Sequence, residues 1–225
     1  MDPKQVAAER AASYIADGMN VGLGTGSTTA FAIDAIGRRV REEGLAIRCI
    51  ATSQASHDQA LRNGITMCDW DTLRRFDVSI DGADEVDPEF RLIKGAGGAL
   101  LREKIVASVS ETEIIIADPA KIVPELGARP LPVAVAKFGW QSTRDRLEKA
   151  FDCHIVVRKT VDGEPFLSDD DLYILDMHFG VLPDPDTLDA RLKQIVGVVE
   201  SGLFVGLCQR VIVGHADGSV SEQTP

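Results

Sequence analysis

Three carboxylates and a lysine, Asp81, Asp84, Glu103 and Lys94, fall within one stretch of the chain, DGADEVDPEFRLIKGAGGALLREKIVASV, over residues 81–109. They surround two glycine-bearing turns, Asp81-Gly82-Ala83-Asp84 and Gly95-Ala96-Gly97-Gly98. Acids and an amine in that arrangement can move a proton and stabilise the oxygen that carries the resulting charge. Glycine lets the backbone approach a ligand, and the Gly95–Gly98 turn leaves the first N–H groups of the next helix open to an anion. The combination suggests proton-transfer chemistry on an anionic substrate. A DxxD spacing also suits a surface loop of solvated charges, and these residues alone leave both readings open.

Whatever the chemistry, the flanking elements must hold it in place. DVSIDG (77–82) reads as a short buried strand running into a glycine turn, and ALLREKIVASV (99–109) as the helix that closes the segment. A related unit comes earlier, in residues 21–40. Val21–Gly24 reads as a strand and Thr25-Gly26-Ser27-Thr28 as a turn. The helix that follows has Ala32, Ile33, Ile36 and Val40 inward and Ser27 or Thr28 as its N-cap. Amides, hydroxyls and a helix dipole converge at such a turn, as a phosphate cradle requires. It is no nucleotide motif: the G-x-G-x-G spacing misses the dinucleotide pattern and no Gly-Lys-Ser/Thr follows. Turns of this composition also occur without a ligand.

A helix is expected over residues 3–17, with Lys4 near its start, where a lysine opposes the helix dipole. Lys4 is either a solvated terminal charge or a residue needed elsewhere. Strands are expected at 47–52, 65–70 and 113–118, with a helix from the cap Ser53 to Gly64; His57 on that helix suits a surface or packing role. Strands alternating with helices imply an α/β fold: a Rossmann-like, mostly parallel sheet with helices on both faces. In such sheets ligands gather beyond the carboxyl ends of the strands. The turns starting at Thr25, Asp81 and Asp118 all take that position, the main argument from the residues for a single site. Lys121 could face it too, or be an exposed loop lysine.

The Pro- and Gly-rich PELGARPLPVAV marks a boundary. We expect one domain over 1–128 and 206–225, and a smaller α+β domain over 129–205. The second has strands at 131–135, 153–159 and 172–179, helices at 140–151 and 187–197 and a final short strand pair. Asp169-Asp170-Asp171 reads as a solvated turn, and residues 203–214 as a return to the first domain's sheet edge.

At 225 residues the chain can bury a substantial core. A net charge of −11 and a pI near 4.8 argue against a nucleic-acid partner. No apolar stretch reaches membrane-spanning length and no signal-peptide pattern opens the chain, so a membrane partner is not expected. Cys49, Cys68, Cys153 and Cys208 are isolated and the four histidines scattered, which gives no zinc signature and suggests reduced thiols packed as small apolar residues.

With GLGTGST (22–28), DGADEVDP (81–88), LIKGAGGALLREKIVA (92–107), ADPAK (117–121), LGARPLPV (126–133) and VVESGLF (198–204) in order, the chain resembles the type A ribose-5-phosphate isomerases. The resemblance covers nearly the whole length. It implies interconversion of D-ribose 5-phosphate and D-ribulose 5-phosphate in the non-oxidative pentose phosphate branch. It further implies no cofactor or metal, a cytoplasmic location, a homodimer or homotetramer, and a Rossmann-like domain beside a smaller α+β one. By position Glu103 matches the family's general base. Thr25, Gly26, Ser27, Thr28, Asp81, Gly82, Ala83, Asp84, Lys94, Gly95, Ala96, Gly97 and Lys121 match its substrate-binding turns. Lys4 falls where the family often has a lysine near the phosphate. Two departures lie in the second domain: Ala134 where many members have glutamate, and Asp170-Asp171-Leu172 in place of Asn-Gly-Asn.

In that chemistry Glu103 removes the proton alpha to the carbonyl, although helical periodicity does not separate it from Arg102 or Lys104. Lys94 and the amides of Gly95–Gly97 are candidates to stabilise the enediolate. Asp81 and Asp84 could hold hydroxyls, pass a proton between O1 and O2, or help open the sugar ring, with Asp81 favoured as the auxiliary acid/base. The phosphate would lie on Thr25–Thr28. An amino-sugar phosphate deaminase would share the phosphate turn but lack the paired DGAD and KGAGG. A sugar-phosphate sensor would bring an added basic DNA-binding segment, and a purely structural module gives no reason for acids and glycines at several strand ends.

Overall fold

A computed structural model describes residues 1–225. The first half contains α1 (Pro3–Ala12), β1 (Asn20–Leu23), α2 (Ser27–Glu43), β2 (Arg48–Ala51), α3 (Gln54–Arg62), β3 (Phe76–Gly82), β4 (Glu85–Val86), β5 (Leu92–Ile93), α4 (Leu100–Ser108) and β6 (Ser110–Ala117). After a single 3-10 turn at Pro119–Lys121 come β7 (Leu131–Val135), α5 (Trp140–Ala150), β8 (His154–Val157), β9 (Tyr173–His178), α6 (Pro185–Lys193), β10 (Val198–Ser201), β11 (Leu203–Phe204), β12 (Arg210–Gly214) and β13 (Val220–Gln223). No helix is long and apolar enough to cross a membrane.

The chain forms two compact units. One comprises Met1–Ala83, Arg102–Ile122 and Leu207–Pro225, the other Asp84–Leu101 and Val123–Gly206. The second unit therefore takes residues 84–101, which the sequence expectation left in the first domain. The reason is pairing: β4 and β5 form a small antiparallel sheet with β11, and Ile93 packs with Leu131, Val133 and Leu203. A division read along the chain misses a hairpin whose partner strand is about a hundred residues away.

In the first unit six strands run in the order β13-β12-β6-β3-β1-β2, parallel except for the edge strand β13. Side chains alternate across it. Val21, Leu23, Val78, Ile80, Ile114 and Ile116 join α1, α2 and α3 in the main core, while Val106 of α4 packs with Ile50, Leu73 and Phe76. Helices thus cover both faces, as periodicity predicts. The return of the C-terminal strand is also seen, with β12 parallel to β6.

Three local expectations need correction. The first helix ends at Ala12 rather than residue 17, and Arg39 Nη1 donates to the carbonyls of Ala12 (2.6 Å) and Ile15 (2.7 Å) just beyond it. Residues 65–70 form no strand and contribute one isolated bridge, Met67 to Cys49. The N-cap of α2 is Gly26, not Ser27 or Thr28, and no side chain caps it. Ser53 does cap α3, accepting from the Ser56 N–H at 3.2 Å.

The second unit holds the antiparallel sheet β10-β7-β9-β8 and two helices, α5 and α6, whose Leu147, Leu188 and Leu192 are buried with Leu131, Val133, Val135, Leu175 and Met177. The carboxylate of Glu85 is buried and accepts from the N–H groups of Gly127 and Arg129, each at 2.6 Å. That pair of charge-assisted bonds ties the end of DGADE to LGAR.

All four cysteines are free thiols. Burial pushes the Cys49 thiol far up, and burial with the nearby Asp152 and Glu148 charges pushes Cys153 up to about 11. Thiolate is the reactive form, so at pH 8 roughly one Cys153 in a thousand is reactive. Iodoacetamide at pH 8 should leave Cys49 and Cys153 unlabelled in the native protein and label both after denaturation, as read by peptide mass mapping. Rapid native labelling of Cys153 would contradict this packing.

Candidate active site

The strands β1, β3 and β6 end together: Leu23 pairs with Ile80, and Gly82 with Ile116, so the turns after them leave from one end of the sheet. Asp81 lies there, 3% exposed. Its Oδ1 accepts from the Thr25 N–H (3.0 Å), the Gly82 N–H (2.7 Å) and the Thr29 hydroxyl (3.3 Å). Residue 24 must be glycine for this to form, because a Cβ there would lie 2.1 Å from Asp81 Cγ. The turn is tied further by the Thr25 and Thr52 hydroxyls at 2.7 Å and by Ser56 Oγ donating to the Gly24 carbonyl at 2.7 Å.

That turn opens α2, a 17-residue helix. Its first N–H groups lack an intrahelical acceptor, no side chain caps them, and the positive end of the dipole lies there. Gly26 and Ser27 are exposed and Thr28 half-buried. Lys4 Nζ donates to Ser27 Oγ at 3.0 Å, so a lysine unfavourable to its own helix adds positive charge to the start of another. Amides, two hydroxyls and an ammonium in this arrangement suit a phosphate.

Glu103 lies on α4 and is 5% exposed. The helix packs closely over β1 and β3, where a Cβ on Gly22 would be 2.4 Å from Val106 Cγ1 and 2.8 Å from Ser79 Cβ. In a right-handed β3–α4–β6 crossover the helix runs opposite to the strands. One turn back from Val106, Glu103 shares its face and lies further toward the strand ends, where Gly24 and Asp81 follow Gly22 and Ser79. Burial narrows the choice among neighbours but does not make it: Arg102 is half-buried, while Lys104 is buried like Glu103. Lys121 closes the short 3-10 turn after β6, which Asp118 caps by accepting from the Ala120 N–H at 2.9 Å.

The remaining candidates belong to the second unit. Asp84 donates its N–H to the Ile93 carbonyl at 2.8 Å, and its Oδ2 accepts from the Ala96 N–H at 2.8 Å. Lys94 is 2% exposed, and its ammonium lies 5.4 Å from the Phe204 ring centroid. Gly95 is buried, whereas Ala96 and Gly97 are exposed. The predicted residues therefore gather as two sets. Lys4, Thr25–Thr28, Asp81–Ala83, Glu103 and Lys121 belong to the first unit, and Asp84, Lys94 and Gly95–Gly97 to the second.

The residue pattern did not point to Thr29, Thr52 or Ser56, which support Asp81 and its turn. Thr29 extends the hydroxyl run of GLGTGST, a cue available in the sequence; Thr52 and Ser56 carry none. The two departures in the second domain turn out to be neighbours. Ala134 is buried with Leu100 and Ile174, and Leu172 and Phe166 pack on the same cluster. Ala134 and Leu172 thus contribute to one apolar cluster.

The sequence model of ribose 5-phosphate isomerase A (phosphoriboisomerase A) matches residues 48–218. A protein of that name from Cereibacter sphaeroides is 49% identical over 223 residues, covering 97% of this chain and 89% of its own. One from a Synechococcus strain is 47% identical, covering 96% and 94%. Among solved structures, a ribose 5-phosphate isomerase from Plasmodium falciparum superposes with a TM-score of 0.95 at 34% identity, covering 99% of this chain and 97% of that one. A D-ribose-5-phosphate isomerase in complex with phospho-erythronic acid superposes at 0.94, also at 34% identity, covering the whole of both chains.

Proposed function

The chain belongs to the ribose 5-phosphate isomerase A family, and from that premise we propose how its residues divide the work. The enzyme interconverts D-ribose 5-phosphate and D-ribulose 5-phosphate, an aldose–ketose isomerisation in the non-oxidative pentose phosphate branch. The phosphate rests on the start of α2, held by the amides and hydroxyls of Thr25–Thr28 with Lys4 beside them and Lys121 as a further contact. Anchoring the distal end converts binding into orientation of C1 and C2. Glu103 removes the C2 proton of the open-chain aldose. The freed electron pair forms the C1–C2 double bond and charge moves onto O1, where Lys94 and the turn amides meet it. The proton returns at C1, while Asp81 carries the proton exchanged between O2 and O1 and Asp84 holds a substrate hydroxyl. No step uses a metal or cofactor. A homodimer or homotetramer in the cytoplasm completes the reading.

The observation that carries this reading is the pairing of a buried carboxylate, Asp81, with an uncapped helix start and its lysine at one strand end. The solved relative holding phospho-erythronic acid, a phosphorylated sugar acid, supports an anion-binding site of this kind. Formation of ribulose 5-phosphate from ribose 5-phosphate in EDTA, with Glu103→Gln as control, tests it.

The phosphate turn has its own test. Removing a hydroxyl that bonds a charged group costs about 1.5–3 kcal/mol. Ser27→Ala and Thr28→Ala should each raise KM for ribose 5-phosphate by ~10-fold or more while kcat falls little, since a binding contact remote from the reacting carbons is lost. Steady-state kinetics of the purified variants checks it, and unchanged KM in both would place the phosphate elsewhere.

A further inference from the structure

Arg158, one residue past β8, joins the sheet of the second unit to the Gly95–Gly98 turn of the same unit. Its side chain is only 15% exposed. Nε donates to Asp176 Oδ2 at 2.9 Å and Nη2 to Asp176 Oδ1, a two-pronged pair. Nη1 donates to the carbonyls of Gly95 at 2.7 Å and Ala96 at 2.9 Å. The residue's own backbone is fixed as well, donating to the Ile174 carbonyl and accepting from the Phe166 N–H, each at 2.8 Å. The Phe166 ring lies 6.0 Å from the guanidinium carbon and fills the space beside Gly98, where a Cβ would be 2.4 Å from the ring.

The geometry of the peptide bond gives these contacts a consequence. In a trans peptide the C=O and N–H point in opposite directions. The unit joining Gly95 to Ala96 is held at both ends, its oxygen by Arg158 and its N–H by Asp84 Oδ2 at 2.8 Å. The next unit, Ala96 to Gly97, has its oxygen on the same Nη1, so the Gly97 N–H is directed away from Arg158. A charged donor on both carbonyls also polarises these peptides and strengthens their N–H groups as donors.

We propose that Arg158, held by Asp176, is a positioning residue for the isomerisation. It sets the direction of the Asp84 carboxylate through the 95–96 peptide and presents the Gly97 N–H, already oriented, to the oxygen that gains charge. This rests on the reading that the Gly95–Gly97 turn faces the reacting carbons. The benefit of preorganisation is that the donors need not reorient as charge develops.

The test compares Arg158→Met, which keeps the apolar stem, with Arg158→Lys and Asp176→Asn. It measures kcat, KM for ribose 5-phosphate, the competitive inhibition constant of inorganic phosphate, and melting temperature. Misdirecting one or two such donors should lower kcat by ~10- to 100-fold in Arg158→Met. The phosphate inhibition constant should move less than about threefold, because the phosphate is assigned to residues 25–28, and KM, to which the Asp84 contact contributes, should change by a smaller factor than kcat. Arg158→Lys keeps a charge but not the fork, so it should recover part of the loss, and Asp176→Asn should fall between. Should Arg158→Met fail to fold, the two milder variants decide the matter by the same kcat-against-KM split. Near-normal kcat in the folded variants overturns the proposal, as does a loss that tracks melting temperature and disappears on cooling. Glu103→Gln in the same assay separates the causes. If it is inactive while the Arg158 variants are active, only the positioning role falls; if it retains turnover, the reading of the site falls and this inference with it.

Discussion

Glu103→Gln should reduce kcat by at least ~10³-fold while leaving the fold and KM for ribose 5-phosphate nearly unchanged. Positioned acid–base groups contribute roughly 10²–10⁴ in rate, and this step has no obvious substitute base on α4, whose other charged residues are Arg102 and Lys104. Glutamine has the same shape and fills the same buried position, so the loss reports proton acceptance rather than packing. Glu103→Asp adds a second arm. It keeps the carboxylate but withdraws it by about one methylene, and a displacement of about 1 Å can cost ~10²-fold. Aspartate should therefore be slow but faster than glutamine. Steady-state kinetics of the two variants decides it. Turnover within about tenfold of wild type in Glu103→Gln would require another base.

The first unit could be read from the sequence because its elements carry their own patterns. The apolar run of β6, the stripe Ala32, Ile33 and Ile36 of α2 and the cap Ser53 each fix a local structure that the sheet then uses. The turn proposed to hold the phosphate was legible as a strand–turn–helix unit for the same reason: glycine and hydroxyls between a strand and a helix are local. What periodicity did not supply were relations across distance. Glu103 differs from Lys104 in neither burial nor apolar neighbours, so its part came from residue type and family resemblance. The β4–β5 hairpin went to the wrong side of the expected division because its partner β11 is remote in sequence. Arg158 was invisible because a lone arginine at a strand end, 63 residues from the carbonyl of Gly95, has no pattern to betray it. Lys4 shows the intermediate case. Its conflict with its own helix dipole is a local signal, and only the contact with Ser27 resolves the conflict.

Asp81 allows charge and position to be separated, and the two should fail differently. Asp81→Asn keeps an oxygen that can accept from the Thr25 N–H, Gly82 N–H and Thr29 hydroxyl, so the turn should persist. What it removes is the ability to take up and return a proton between O2 and O1, and kcat should fall by ~10²-fold or more with a small change in KM. Gly24→Ala does the reverse. The carboxylate stays chemically intact, but the new methyl would lie 2.1 Å from its Cγ and Oδ1, and the neighbour is a buried side chain with little room to retreat. Overpacking of this kind costs about 1–3 kcal/mol, and moving Asp81 also strains bonds to a charged acceptor. This variant should melt several degrees lower and lose both kcat and affinity, because the displaced turn carries Thr25–Thr28 as well. Calorimetry with steady-state kinetics distinguishes the pair. Full kcat in Asp81→Asn would move the auxiliary acid/base role to Asp84, and a Gly24→Ala protein of normal stability and rate would mean that Asp81 does not hold the turn. Only if asparagine damages the rate alone, and alanine the rate, affinity and melting point together, does the carboxylate serve both to build the phosphate turn and to carry the proton.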